Sequence, residues 1–142
     1  MIKSDFLVRE IRKMAVVVAR ILGLKTGQQY DLAMEQIDTA GKLYLGMWWD
    51  LIGLLSSGQL AGLFDNADNS LNRYLAVRLL TLKADVLEAM GSSEEALAVC
   101  NKALVLAETG DRPVMVPEGE PDFQELLISL KEKWNRLNNN PV

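Results

Sequence analysis

The stretch Leu80–Glu108, LTLKADVLEAMGSSEEALAVCNKALVLAE, decides how the rest of the chain is read. Apolar residues recur at three- and four-residue steps on both sides of a single glycine, which is the period of helices that bury one face. A long helix is predicted over about Ser70–Met90, stopped by Gly91. Ser92 followed by Glu95 has the spacing of a capping box, in which each side chain satisfies a backbone N–H near the other. It opens a second helix from Ser93 to about Thr109. Two helices joined by so short a turn form an antiparallel hairpin.

Upstream the same signals recur. A first helix is predicted over about Ser4–Leu22, with Leu7, Ile11, Met14, Val18, Ile21 and Leu22 on one face and Gly23 as its stop. Thr26 and Gln29 have capping-box spacing, and a second helix then runs to about Leu45 with Tyr30, Ala33, Ile37, Ala40 and Tyr44 inward. Residues 46–69 are less regular. Trp48-Trp49 and Leu51–Leu55 predict a short apolar helix ended by Ser56-Ser57-Gly58, and Gln59–Phe64 predicts another, running into the turn-forming Asp65–Ser70. Downstream, Pro113, Pro117 and Pro121 exclude a helix over 110–121. A last helix is expected over about Asp122–Leu137, and Asn138–Val142 are expected to fray.

Composition agrees with a helical chain of one domain, 1–142. Hydrophobic residues make up 49% and charged residues 24%, enough apolar matter for a continuous core. Leu and Ala are abundant and aromatics scarce, which favours helix over sheet because unbranched side chains lose little rotamer freedom there. The net charge of −4 argues against general nucleic-acid binding. Residues 1–25 nevertheless carry six Lys and Arg against two Asp and Glu, while the remainder carries nine against seventeen. The absence of histidine removes imidazole bases and the commonest zinc sites. One cysteine, Cys100, allows no intrachain disulfide. The apolar run Met14–Leu24 is interrupted by Arg20, lacks a cleavage site and is too short to span a bilayer, so a cytoplasmic protein without an integral membrane segment is expected.

The segment Leu80–Glu108 resembles a tetratricopeptide repeat. Leu80, Ala84, Leu87, Gly91, Ala96, Cys100 and Ala103 fall where that repeat places large, small, large, turn-glycine, small, ring and small residues. Small residues let antiparallel helices approach closely. Lys83, Cys100 and Glu108 depart from the pattern, standing for a usual Leu, an aromatic and the terminal proline. Tyr30, Ala33 and Ala40 keep the spacing of a second repeat helix, so residues 5–45 read as a degenerate first hairpin. Asp5-Phe6, Arg9, Tyr30-x-x-Ala33 and Leu45-Gly46 also resemble a family of small bacterial proteins, a likeness that implies a fold and no activity. Some repeats of this type hold a chaperone tail carboxylate through a Lys and Asn set. Asp85 stands at the Asn position and would repel it. The resemblance implies an all-α short solenoid of antiparallel hairpins, about six or seven helices in all.

No catalytic constellation is legible, and neither cofactor nor metal is expected. Cys100, between Ala96 and Ala103, reads as a small buried hydrophobe. Asp65 and Asp68 lack the further ligands of a calcium loop and read as a turn before a helix. Arg9, Lys13, Val16 and Arg20 share a face of the first helix, either a solvated surface or a docking stripe for an acidic partner or, less readily, an anionic membrane surface. Trp48 and Trp49 point about 100° apart on a helix, so one can serve the core, and the other belongs either to a satellite apolar cluster under the middle segment or to a partner contact. Val114, Met115 and Val116 are an apolar trio in an acidic, proline-rich loop, expected either to pack back onto the helices or to cross to another subunit. The expected role is a non-catalytic protein-interaction or assembly module with a protein partner, or with itself as a homodimer. The rival reading is a small-ligand protein or enzyme with Tyr30 or Tyr44 in a pocket between helices.

Overall fold

The computed structural model describes residues 2–63, 70–108 and 116–139, which form seven α-helices and no strand. They are α1 (Ile2–Thr26), α2 (Tyr30–Leu45), α3 (Met47–Leu54), α4 (Ser57–Leu60), α5 (Ser70–Ala89), α6 (Ser93–Glu108) and α7 (Phe123–Asn138). None of them is long and apolar enough to cross a membrane.

The centre of the molecule is α5, which packs against α1, α2, α6 and α7. Its sequence is apolar on nearly every side, and residues from Tyr74 to Leu87 are buried around most of its circumference, as such a helix requires. By contrast α1 buries only one stripe, Ile11, Met14, Val18 and Ile21, and leaves Leu22 exposed against expectation. Close approach is made by alanines. Ala33, Ala84, Ala96 and Ala103 are fully buried, and Ala40 nearly so. Enlarging Ala96 or Ala103 to Leu is expected to cost about 1–3 kcal/mol by overpacking, read by thermal denaturation. Unchanged stability in both variants would place these residues outside the helix contacts.

The two long hairpins turn by the same geometry with different residues. At the end of α5, Gly91 has φ +86, and Ser92 N donates to Leu87 O at 2.9 Å. At the end of α1, Gln28 has φ +61, and Gln29 N donates to Leu24 O at 2.8 Å. Both are Schellman turns, in which one left-handed residue lets the chain satisfy the last helical carbonyls. Glycine fills the left-handed slot in the second hairpin, while in the first it stands one residue earlier, at Gly27.

Three sequence expectations are corrected here. Gly23 does not stop the first helix, which continues to Thr26, because a glycine inside a helix costs only about 1 kcal/mol when the flanking turns hold. Thr26 and Gln29 form no capping box: Thr26 Oγ1 donates to Leu22 O at 2.9 Å within α1, and the Gln29 side chain makes no cap bond. The box lies instead at Ser56 and Gln59, so α4 begins before Gln59 and ends at Leu60. Asp122 and Glu125 form a further box at the start of α7.

The last helix is fastened by polar side chains as well as by Leu126, Leu130 and Leu137. Arg136 pairs with both carboxylate oxygens of Glu88 at 2.8 Å, and Trp134 Nε1 donates to Asn101 Oδ1 at 2.7 Å. The hydrogen bond from Arg136 holds the Glu88 carboxyl below its ordinary range. Buried Lys133 pairs with Asp85, so the carboxylate that would repel a tail ligand is engaged with α7. The segment before α7 is held in turn by α5: Tyr74 donates to Pro121 O at 2.6 Å, and Arg78 pairs with Glu120 at 3.3 Å.

Candidate functional site

The face formed by α2, α3, α5 and α6 starts from a single glycine. Gly41 lies inside α2, and a Cβ there would stand 2.2 Å from the Trp49 ring. The indole of Trp49 therefore lies directly on the α2 backbone. Its Nε1 donates to Asp38 Oδ1 at 2.9 Å, one turn earlier on α2. The other oxygen of Asp38 pairs with Lys42 at 3.4 Å. The indole bond is the chief reason that the Asp38 carboxyl is held below its usual range.

From the opposite side, Lys102 of α6 donates to Ile52 O at 2.9 Å and to Gly53 O at 3.2 Å. These carbonyls belong to the last turn of α3, which has no further helical N–H to meet them. Lys102 thus caps α3, and a cation there also suits the negative end of the helix. Burial, and after it the charge of Lys83, pushes the Lys102 amine below its ordinary value. The Lys83 ammonium stands 5.9 Å from the centre of the Trp49 ring.

Held in this way, α3 turns Trp49 and Ile52 inward and three large apolar residues outward. Met47 is 79% exposed, Leu54 82% and Leu51 36%. Their spacing of four and three residues puts them on one face of the helix. Beside them a cleft of about 330 Å³ opens between α3, α5 and α6, with Trp49, Ile52, Leu54, Leu80, Lys83 and Lys102 among its walls.

The residues singled out in the sequence fall in several places. Arg9, Lys13, Val16 and Arg20 are all exposed on α1, and Lys13 pairs with Glu10 at 3.0 Å. Arg9 also borders a shallow hollow with Asp5, Val8 and Arg12. Trp48 is half-buried, whereas Trp49 is in the core and so offers no exposed ring to a partner. Val116 packs half-buried against the core, while Val114 and Met115 lie outside the described residues, as do Asp65 and Asp68. Tyr30 and Tyr44 are half-buried against the core, and neither lines the cleft. Cys100 is buried, its thiol donates to Leu130 O at 3.4 Å, and burial pushes it up to about 11. At neutral pH it stays protonated and unreactive. Among the described residues no three His, Cys, Asp or Glu side chains gather as a metal site.

Sequence reasoning passed over Lys83, Lys102 and the outer face of α3. For α3 a signal existed: Met47–Leu54 has Asp50 as its only charge, which is too apolar for a helix with one side in water. For the lysines none did, since they sit nineteen residues apart on different helices.

Comparison of this chain with protein-family models, with curated proteins and with solved structures found no match.

Proposed function

We propose that this protein is a non-catalytic interaction and assembly module, built as a short solenoid of tetratricopeptide-type hairpins, whose docking face is the outer side of α3. The observation that carries the reading is the exposed row Met47, Leu51 and Leu54 on a helix that is apolar on almost every side. Such a row presents on the order of several hundred Å², the size of patch that marks interaction sites on soluble proteins. The pairing of α1 with α2 and of α5 with α6, and the packing of α7 over α6, support the solenoid. Stacked hairpins of this kind need their ends covered.

A second copy of the chain is the partner this face suits first. The row is short, nearly uncharged and close to symmetric about its middle, so antiparallel pairing across a two-fold sets Met47 of each copy near Leu54 of the other. One patch then serves both subunits. Light scattering across a dilution series is expected to give twice 15.8 kDa at high concentration. Leu54→Glu, which places a charge where that residue would be buried, is expected to return the mass to that of a single chain without loss of helix content. A mass of 15.8 kDa for the unaltered protein at every concentration would overturn the homodimer.

A further inference from the structure

The cleft beside α3 brings together two lysines that lie outside the exposed row of the docking face. Lys83 on α5 and Lys102 on α6 bring two ammonium groups to one small space. Among the described residues neither has a carboxylate within 4 Å. Lys102 gives two of its three N–H groups to the end of α3, and one remains for another acceptor. The two carboxylates on the cleft wall stand farther than 4 Å from both ammonium groups, although Asp38 feels the charge of Lys83. Asp38 is engaged by Trp49 and Lys42, and Asp50 is exposed on α3. Burial first, and after it the charge of Lys83, lowers the Lys102 amine.

We propose that this cleft binds a single carboxylate carried on a short apolar stem, with Lys83 and Lys102 as its two cationic contacts. A carboxylate between two like charges relieves their repulsion and accepts from both, as charge-assisted hydrogen bonds require. The remaining walls, Ile52, Leu54, Leu80 and Val99, are apolar and suit a hydrocarbon stem. Asp38 and Asp50 on the same wall favour a monoanion over a phosphate dianion. The volume of about 330 Å³ is near the lower end for small-ligand sites, which suits a short chain. The proposal rests on the walls of the cleft and not on self-association: its two cationic contacts lie on α5 and α6, and Leu54 is the wall residue it shares with the exposed row of α3.

The test is a titration of the full chain with hexanoate, followed by the indole N–H signals of ¹⁵N-labelled protein. Trp49 borders the cleft, whereas Trp134 is held by Asn101 on the α7 side, so the Trp49 signal is expected to move and the Trp134 signal to stay. Saturation is expected with Kd on the order of 1 mM, and neutral hexanamide is expected to bind about tenfold or more weakly. Lys83→Met keeps the stem and removes the charge. It is expected to lose hexanoate binding by a similar factor while its thermal stability stays unchanged. Acetylated Leu-Leu-Glu amide as a competitor distinguishes the source: displacement of hexanoate at lower concentration assigns the carboxylate to a partner protein's side chain, and displacement only at higher concentration to a free organic acid. Equal binding of hexanoate and hexanamide would overturn the proposal. So would undiminished hexanoate binding by Lys83→Met, or an unmoved Trp49 signal up to about 10 mM, far above the expected Kd.

Discussion

Gly41→Ala is expected to lower stability by about 3 kcal/mol, which corresponds to a fall in melting temperature on the order of 10 °C for a chain of this size. Local propensity predicts the opposite sign, since alanine in a helix interior is favoured over glycine by about 1 kcal/mol. The difference comes from the Trp49 ring. A Cβ at position 41 would meet Cδ2, Cε2 and Cγ of the indole at 2.2, 2.3 and 2.6 Å, well inside contact distance. Position 41 cannot yield, because it belongs to the backbone of α2. Trp49 must therefore lift away, breaking its bond to Asp38 and opening the joint between α2 and α3. A thermal melt followed by circular dichroism measures the loss. Trp49→Leu supplies the control: with the ring removed, Gly41→Ala is expected to be neutral or slightly stabilising, so the two changes are strongly coupled. A melting temperature unchanged in the single variant would mean that the indole does not lie on Gly41.

Arg73→Met is expected to cost a similar amount, about 3 kcal/mol, read as a lower midpoint in urea denaturation with an unchanged slope. Arg73 is buried in α5, and its Nη1 donates to Leu106 O at 2.8 Å and to Ala107 O at 3.3 Å. These are carbonyls of the last turn of α6, which carries no basic residue of its own there. The guanidinium also lies 3.8 Å from the centre of the Phe123 ring at the start of α7. One side chain thus joins the ends of three helices. Methionine keeps much of the buried stem but removes a charged donor from helix-end carbonyls in a place water reaches poorly, and that loss outweighs the desolvation it saves. Faster amide exchange in the last turn of α6 is expected alongside the global loss. A change within about 0.5 kcal/mol, typical of surface positions, would show that solvent already serves those carbonyls.

Both positions illustrate what local reading could and could not see. Glycine at 41 is conspicuous only as a weak point in a helix, and its use depends on a tryptophan eight residues later, folded back by the turn at Gly46. Arg73 reads as one more polar residue in a long helix. Two of its acceptors lie thirty-three and thirty-four residues away. The cleft is hidden for the same reason, since Lys83 departs from the repeat pattern without any local hint of what it faces. The candidate stripe Arg9, Lys13, Val16 and Arg20 was legible because a single helix presents it, and it is exposed as drawn. Trp48 and Trp49 were legible as a pair, but only the packing shows that Trp49 is the inward one.

By itself the sequence determined the helical class, the order of the long helices, the buried stripe of α1 from Ile11 to Ile21, and the hairpin around Gly91. These follow from periodicity and from the glycine at 91, which act over a few residues and so are written locally. Tertiary structure alone decided that α5 is enclosed on most sides, that Trp49 rests on Gly41, and that Arg73 and Lys102 serve the ends of other helices. It also decided that Met47, Leu51 and Leu54 face outward and that Lys83 and Lys102 share a cleft. Each of these depends on which helix lies beside which, and that choice is made by the mutual fit of whole faces, with buried polar groups finding donors or acceptors far along the chain.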